Sequence, residues 1–225
     1  MTEHPAAVLW DMDGTIIDTE PYWMDAETRL VAEYGGTWTH EQAVGLVGAG
    51  LEHSARTLQQ AGVALHPHEI IEVMTARVLE RIVAEGLPWR PGARELLLEL
   101  RESGVPTALV TMSYRSLATT VAEAIDFTAF DTIVAGDDVT LSKPHPAAYL
   151  RAADLLGVAA VDCVAIEDSA PGVAAAMASG ATTIGVPLNA VLPDHPALTI
   201  WPTLAGRTVT HLAELHGDRR SAGRH

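Results

Sequence analysis

Short apolar runs recur along the chain, and each ends in a small or polar residue. Residues 6–10 lead to Asp11, 106–110 to Thr111, 133–135 to Gly136, 161–166 to Glu167 and 182–186 to Pro187. Runs of this length without alternation predict strands buried on both faces. Between them, residues 93–102, 117–124, 147–156 and 172–179 carry helical patterning. Pro91-Gly92 precedes the first of these helices and Gly104 follows it, as start and stop signals require. Strands that alternate with helices predict an α/β fold built on a parallel sheet.

One stretch breaks the alternation. Residues 18–89 offer no convincing strand and instead show helical segments at 22–33, 41–47, 51–60 and 69–85, punctuated at the two ends by Glu20-Pro21 and Leu87-Pro88. The expected organisation is therefore a Rossmann-like parallel-sheet core from residues 1–17 and 89–216, with an all-helical cap, residues 18–88, inserted after the first strand. A short strand near 198–201 and a last helical turn near 212–215 complete the core, and the polar residues 217–225 read as a disordered tail.

Composition narrows the function. With 225 residues, 48% hydrophobic and 19% charged, the chain is an ordinary globular one that can bury a core without staples. The single cysteine, Cys163, excludes an intramolecular disulfide. It reads as a small buried hydrophobe in a reducing compartment. The start, MTEHPAAVLWDMDG, lacks the features of a signal peptide, and no apolar stretch is long enough for a membrane span. A cytoplasmic, monomeric protein is the expectation. A net charge of −15 disfavours nucleic acid and other polyanionic partners. It also means that any site for an anion must be made positive locally. Lys143 is the only lysine in the chain, which singles that position out.

In open parallel sheets, ligands bind at the carboxyl ends of the strands. The residues that follow the apolar runs are Asp11-Met12-Asp13-Gly14-Thr15, Thr111-Met112-Ser113, a loop leading to Lys143-Pro144, and Glu167-Asp168-Ser169. Turn chemistry explains an Asp or Thr after any one strand, but not four loops with a complementary set. Carboxylates gathered in one crevice need a cation. Magnesium accepts one or two carboxylates together with a phosphate oxygen. Lys143 adds positive charge, while the Thr111 hydroxyl and nearby backbone N–H groups can bind phosphoryl oxygens. Aspartate is a competent nucleophile for phosphoryl transfer, and Asp13, freed by the turn at Gly14, can reach a leaving oxygen as general acid and base.

These four segments, in this order and with a helical insertion after the first, resemble the motifs of the haloacid dehalogenase-like superfamily, most closely its phosphatase and β-phosphoglucomutase branch with a helical cap. The resemblance spans nearly the whole chain. It implies a Mg2+-dependent phosphatase for a small phosphorylated metabolite, working through an aspartyl-phosphate. Asp11 would be nucleophile and metal ligand. Asp13 would be the general acid/base and bind the metal through its backbone carbonyl. Thr111, Met112 and Lys143 would bind phosphate. Asp168 would ligate the metal, with Glu167 as a further ligand or as an orienter of Lys143. Within the superfamily an acid at the Asp13 position separates phosphatases and phosphomutases from dehalogenases.

The cap segment 48–56 is the expected specificity loop, with Gly48, His53 and Arg56 as candidates. It lacks the basic residues that β-phosphoglucomutases carry there, which argues against the mutase alternative. A non-catalytic binding or regulatory module is the remaining alternative, and the complete set of chemistry-bearing residues argues against it. Competing motifs fail: residues 11–22 lack the Gly and Glu spacing of an EF-hand, and Gly48-Ala49-Gly50 lacks the third glycine and the preceding strand of a dinucleotide fingerprint. Tyr22 and Trp23 read as packing residues, His66-Pro67-His68 as a solvated helix start, and Asp137-Asp138 as loop carboxylates of open role.

Overall fold

The computed structural model describes residues 4–47 and 49–222. Six strands are present: β1 (Ala7–Trp10), β2 (Thr107–Val110), β3 (Thr132–Val134), β4 (Cys163–Glu167), β5 (Thr182–Gly185) and β6 (Leu198–Ile200). They form one sheet in the order β3-β2-β1-β4-β5-β6, every neighbouring pair parallel. Its helices are α5 (Ala93–Glu102), α6 (Arg115–Ala124), α7 (Ala147–Leu155), α8 (Ala170–Ala178) and α9 (Val209–Ala222). Alternate strand residues point to opposite faces. Val8, Trp10, Leu109, Val164 and Ile166 therefore join one core with α5, α6 and α9. Ala7, Leu9, Ala108, Val110, Cys163 and Ala165 join a second core with α7 and α8. α5 shows how pattern becomes packing: Ala93, Leu96, Leu97 and Leu100, spaced for a single helical face, are all fully buried.

Between β1 and α5 lie four helices: α1 (Glu20–Glu33), α2 (His40–Val44), α3 (Leu51–Gln60) and α4 (Pro67–Glu85). Proline in the first turn suits the starts of α1 and α4. At α2 the Thr39 hydroxyl accepts from Gln42 N at 3.2 Å while the Gln42 side chain accepts from Thr39 N at 2.9 Å, a capping box. These helices bury a core of their own around Leu30, Val31, Leu58, Ile70, Ile71 and Met74. The two chain crossings that join them to the sheet run side by side. Asp18 N donates to Pro88 O and Arg90 N to Ile16 O, both at 2.8 Å, around an antiparallel bridge between Ile17 and Trp89.

The far end of the chain departs from the expected single turn and disordered tail: α9 continues through residues 217–222. The hydrophobic anchor is short, Val209, Leu212 and Ala213. Polar contacts hold the rest. The His216 ring lies 2.9 Å from the Thr182 hydroxyl, Arg220 pairs with Asp162 at 2.7 Å, and Arg219 donates to Thr199 at 3.3 Å. A helix end fixed by polar partners distant in sequence leaves no apolar periodicity to read.

Candidate active site

Strand order reverses at β1, so β1 and β4 part their connections and open a crevice at their carboxyl ends. Asp11 leaves β1 into this crevice, Glu167 ends β4, and Asp168 follows it. Lys143 enters from the loop before α7 and joins the two strands. Its Nζ donates to Asp11 Oδ1 at 2.6 Å, to Glu167 Oε1 at 2.5 Å and to the carbonyl of Val110, at the end of β2, at 3.0 Å. All three donor positions of the ammonium are used. Glu167 is equally committed: Oε1 also accepts from Tyr149 Oη at 2.7 Å, and Oε2 from the Ser169 hydroxyl at 3.2 Å and the Asp168 N–H at 3.2 Å.

Asp11 and Asp168 are not so committed. Asp11 Oδ2 and Asp168 Oδ2 are buried and accept no hydrogen bond among the described residues. One oxygen each from Asp11, Glu167 and Asp168 lie within 4.8 Å of one another. Buried carboxylates this close repel. Burial, and next the Glu167 charge, raises the Asp11 carboxyl to about 7 against the pull of Lys143. Burial, then Asp11 and Glu167, raises Asp168 well above the carboxylate range. Burial works to lower Lys143, but Asp11 and Glu167 outweigh it and hold the ammonium charged. The cluster has one positive charge for three carboxylates, and its two orphaned oxygens are hard donors. That donor set fits a divalent cation of the magnesium type. The turn beside it is tight: Gly14 has φ +83°, and a Cβ there would stand 2.1 Å from Asp168 Oδ2.

Asp13 points elsewhere. Its Oδ1 accepts from Thr19 Oγ1 at 2.5 Å and Trp23 Nε1 at 3.2 Å, and its Oδ2 from Ser113 Oγ at 2.8 Å and Thr111 Oγ1 at 3.2 Å. The Asp13 carboxylate is therefore not part of the acidic cluster. It ties the loop after β2 to the first turn of the helical segment. Trp23, expected to be mere packing, thus touches the site.

The helical segment stands over the rim, and between them lies a cavity of about 90 Å³, several times the roughly 10–15 Å³ that one water needs. Asp11, Asp13, Thr111, Met112, Lys143 and Asp168 line its floor; Trp23, Glu27, Leu46, Leu51 and Met74 are among those above. Glu27 is buried there, its Oε2 accepting from Trp38 Nε1 at 3.0 Å, and burial raises its carboxyl to about 7.

The strand-end residues named from sequence thus converge, and the loop candidates do not. His53 and Arg56 are exposed on α3 and absent from the cavity wall, and Arg56 faces Glu52 at 3.9 Å. Helical phase explains this: Leu51 and Ser54 face inward, so His53 and Arg56 turn outward. Gly48 lies outside the described residues. Asp137 and Asp138 brace α6, Asp137 accepting from Arg115 N at 2.8 Å and Asp138 pairing with the Arg115 guanidinium. Cys163 is buried, and burial raises its thiol to about 12, as a structural residue should be.

Several site residues carried no sequence signal. Tyr149 lies on a buried helix face and becomes a partner of Glu167 only through packing. Arg90 is buried beneath the Gly14 turn, where its guanidinium donates to the Gly14 carbonyl. Glu20 meets the Asn189 amide across the gap between α1 and the loop after β5. Glu27 read as one more polar position on a helix.

A doubly wound parallel sheet with a helical insertion after its first strand, and with carboxylates and a lysine at the strand ends, defines a class, and the chain belongs to it: residues 5–180 match the haloacid dehalogenase-like hydrolase family. Among its relatives, hexitol phosphatase B of Escherichia coli is 31% identical over 185 residues, 80% of this chain and 83% of that protein. A phosphorylated carbohydrates phosphatase of Thermotoga maritima is 33% identical over 178 residues, 77% of this chain and 81% of that protein. The crystal structure of CbbY from Rhodobacter sphaeroides in complex with phosphate superposes with a TM-score of 0.83 at 25% identity, covering 93% of this chain and 99% of that one.

Proposed function

We propose that this protein is a magnesium-dependent phosphatase that hydrolyses a small phosphorylated metabolite, a sugar or polyol monophosphate, through an aspartyl-phosphate. One observation carries the reading. Asp11 stands at the cavity floor with one oxygen held by Lys143 at 2.6 Å and the other buried without a hydrogen-bond partner. That is a fixed nucleophile with a free lone pair. The names of the relatives, a hexitol phosphatase and a phosphorylated carbohydrates phosphatase, support the substrate class.

Asp11 attacks phosphorus in line with the leaving oxygen. The Asp11–phosphorus bond forms as the ester bond breaks, and Asp13, protonated for this step, gives its proton to the departing alkoxide. Asp13 as carboxylate then takes a proton from water. Water attacks phosphorus, the acyl-phosphate bond breaks, and inorganic phosphate and a restored Asp11 result. The four hydrogen bonds to Asp13 fix it beside the reaction. Lys143 supplies positive charge beside the phosphoryl oxygens, which the Thr111 hydroxyl and the Met112 segment bind, and Glu167 holds Lys143 in place. Asp168, with its orphaned oxygen, Asp11 and the Asp13 backbone carbonyl would hold the metal. When bound, a magnesium ion supplies charge that lets a phosphate dianion approach the carboxylates.

Residues 18–88 act as the cap of a core formed by 1–17 and 89–216, and the paired crossings at Ile17 and Trp89 serve as its base. Closure excludes bulk water during transfer. Among the described residues, Lys143 is the only basic residue lining the floor, and no basic side chain lines the cap wall. A monophosphate fits this better than the bisphosphate that a mutase cycle needs.

Phosphate release from a panel of phosphorylated metabolites, with magnesium and with a chelator, tests the reading. Magnesium-dependent release from sugar or polyol phosphates is expected. Asp11→Asn should lower turnover by about 10³-fold or more while leaving the fold intact. Normal turnover in that variant would sink the mechanism.

A further inference from the structure

The upper half of the cavity contains a carboxylate that chemistry at the rim does not use. Glu27, on α1, is 4% exposed and lines the cavity. Its Oε2 accepts from the Trp38 indole. Its Oε1 accepts no hydrogen bond among the described residues, and no cation balances it there. The surrounding wall is largely apolar: Met24, Leu46, Val47, Leu51 and Met74. Burying a half-satisfied carboxylate is costly. A structural role alone would be met as well by glutamine, or by an apolar residue of equal size. A carboxylate oxygen that faces a cavity without a protein partner selects the ligand that completes its hydrogen bonds.

We propose that Glu27 is a specificity-determining residue that accepts a hydrogen bond from a hydroxyl on the leaving group of a phosphate monoester. The assignment rests on the phosphatase reading and refines it to polyhydroxylated monophosphates. The phosphoryl group is held on the floor by Lys143, and the hydroxylated remainder extends upward between apolar walls to Glu27. A second phosphate is excluded, because it would meet Glu20 and Glu27, and among the described residues no basic side chain lines that wall. A neutral hydroxyl suits a carboxyl that burial brings near neutrality, since either of its forms can hydrogen-bond one.

The test compares wild type, Glu27→Met and Glu27→Gln, using sorbitol 6-phosphate as substrate and inorganic phosphate as competing inhibitor. Inorganic phosphate reaches only the floor and has no group for Glu27. In Glu27→Met, kcat/KM for sorbitol 6-phosphate is expected to fall about 10–100-fold, mainly through KM. The inhibition constant of phosphate should change less than about threefold, and the melting temperature should hold or rise. Glu27→Gln, which keeps the volume and the Trp38 contact, should lose less. Parallel weakening of sorbitol 6-phosphate and inorganic phosphate would overturn the assignment, as would an unchanged kcat/KM. Phosphoethanolamine serving as a better, Glu27-dependent substrate would replace the hydroxyl by an ammonium and overturn it too. Wild-type protein that hydrolyses no phosphate ester would remove the phosphatase reading itself, a result distinguishable from all of these.

Discussion

Lys143 concentrates the residue-scale logic. One ammonium answers two buried carboxylates and a strand-end carbonyl, and its side chain is 3% exposed. Removing one member of a buried ion pair costs more than the pair contributes, because the abandoned charges stay desolvated. Lys143→Met should therefore destabilise the protein by about 3–5 kcal/mol and abolish phosphate release. The deficit has a predicted pH dependence. Without the cation, Asp11 must bind a proton in the folded state that it does not bind when unfolded. Folded-state pKa values raised in this way make stability fall as pH rises. Asp11 already stands near 7 in the wild type, so the gap between wild type and variant, read from denaturant midpoints, should stay level below about pH 7 and widen above it. A gap that widens on acidification would contradict the ion-pair account. The lysine was legible in the sequence as the sole one in an acidic chain. Its partner Tyr149 was not, because a tyrosine on an amphipathic helix looks the same whether it fills a core or orients a glutamate.

Elements act here as holders of single atoms. α8 starts where β4 ends, with Ser169 as its N-cap accepting from Gly172 N at 3.2 Å. The helix approaches so closely that a Cβ at Gly172 would stand 1.9 Å from Glu167 Oε1. Gly172→Ala must push away either the helix start or the carboxylate that anchors Lys143. A stability loss of about 1–3 kcal/mol is expected, with phosphate release reduced beyond what the loss of folded protein explains. Full activity with normal stability would show that the contact yields freely. The helices with a clear apolar face, such as α5, ended where the sequence placed them. α9 ran past its expected end because charges, not apolar periodicity, fasten its last turns. The sequence also set α3 at 51–60, and its apolar positions Leu51, Ala55 and Leu58 mark an inward face that His53 and Arg56 do not share, so both turn to solvent.

At the scale of the whole molecule, the site is a junction. β1, β2, β4 and the loop before α7 supply the floor, and the inserted helices supply the roof. A cation bound by Asp11 and Asp168 would relieve the repulsion that folding builds into the floor. Ligand binding to the folded state stabilises it by mass action. Magnesium at about 100 times its dissociation constant should raise the melting temperature by about 5–10 °C. Chelator should reverse the rise, and Asp168→Asn should erase it. Calorimetry or a dye-based melt measures this without any substrate. A melting temperature indifferent to magnesium would remove the metal from Asp11 and Asp168.

By itself the sequence determined the alternation of strand and helix, the insertion after the first strand, and the residue types that stand at the strand ends. Those signals are local: periodicity, turn residues and residue type need only a few neighbours to be read. Tertiary structure alone decided which carboxylates stand together and which do not. It separated Asp13, held by Thr19, Trp23, Thr111 and Ser113, from the cluster of Asp11, Glu167 and Asp168. It also brought Glu27 into the roof, a position no motif marks. Both outcomes depend on distances between residues far apart in the chain, and such distances are fixed only when the sheet and the helical cap close on one another.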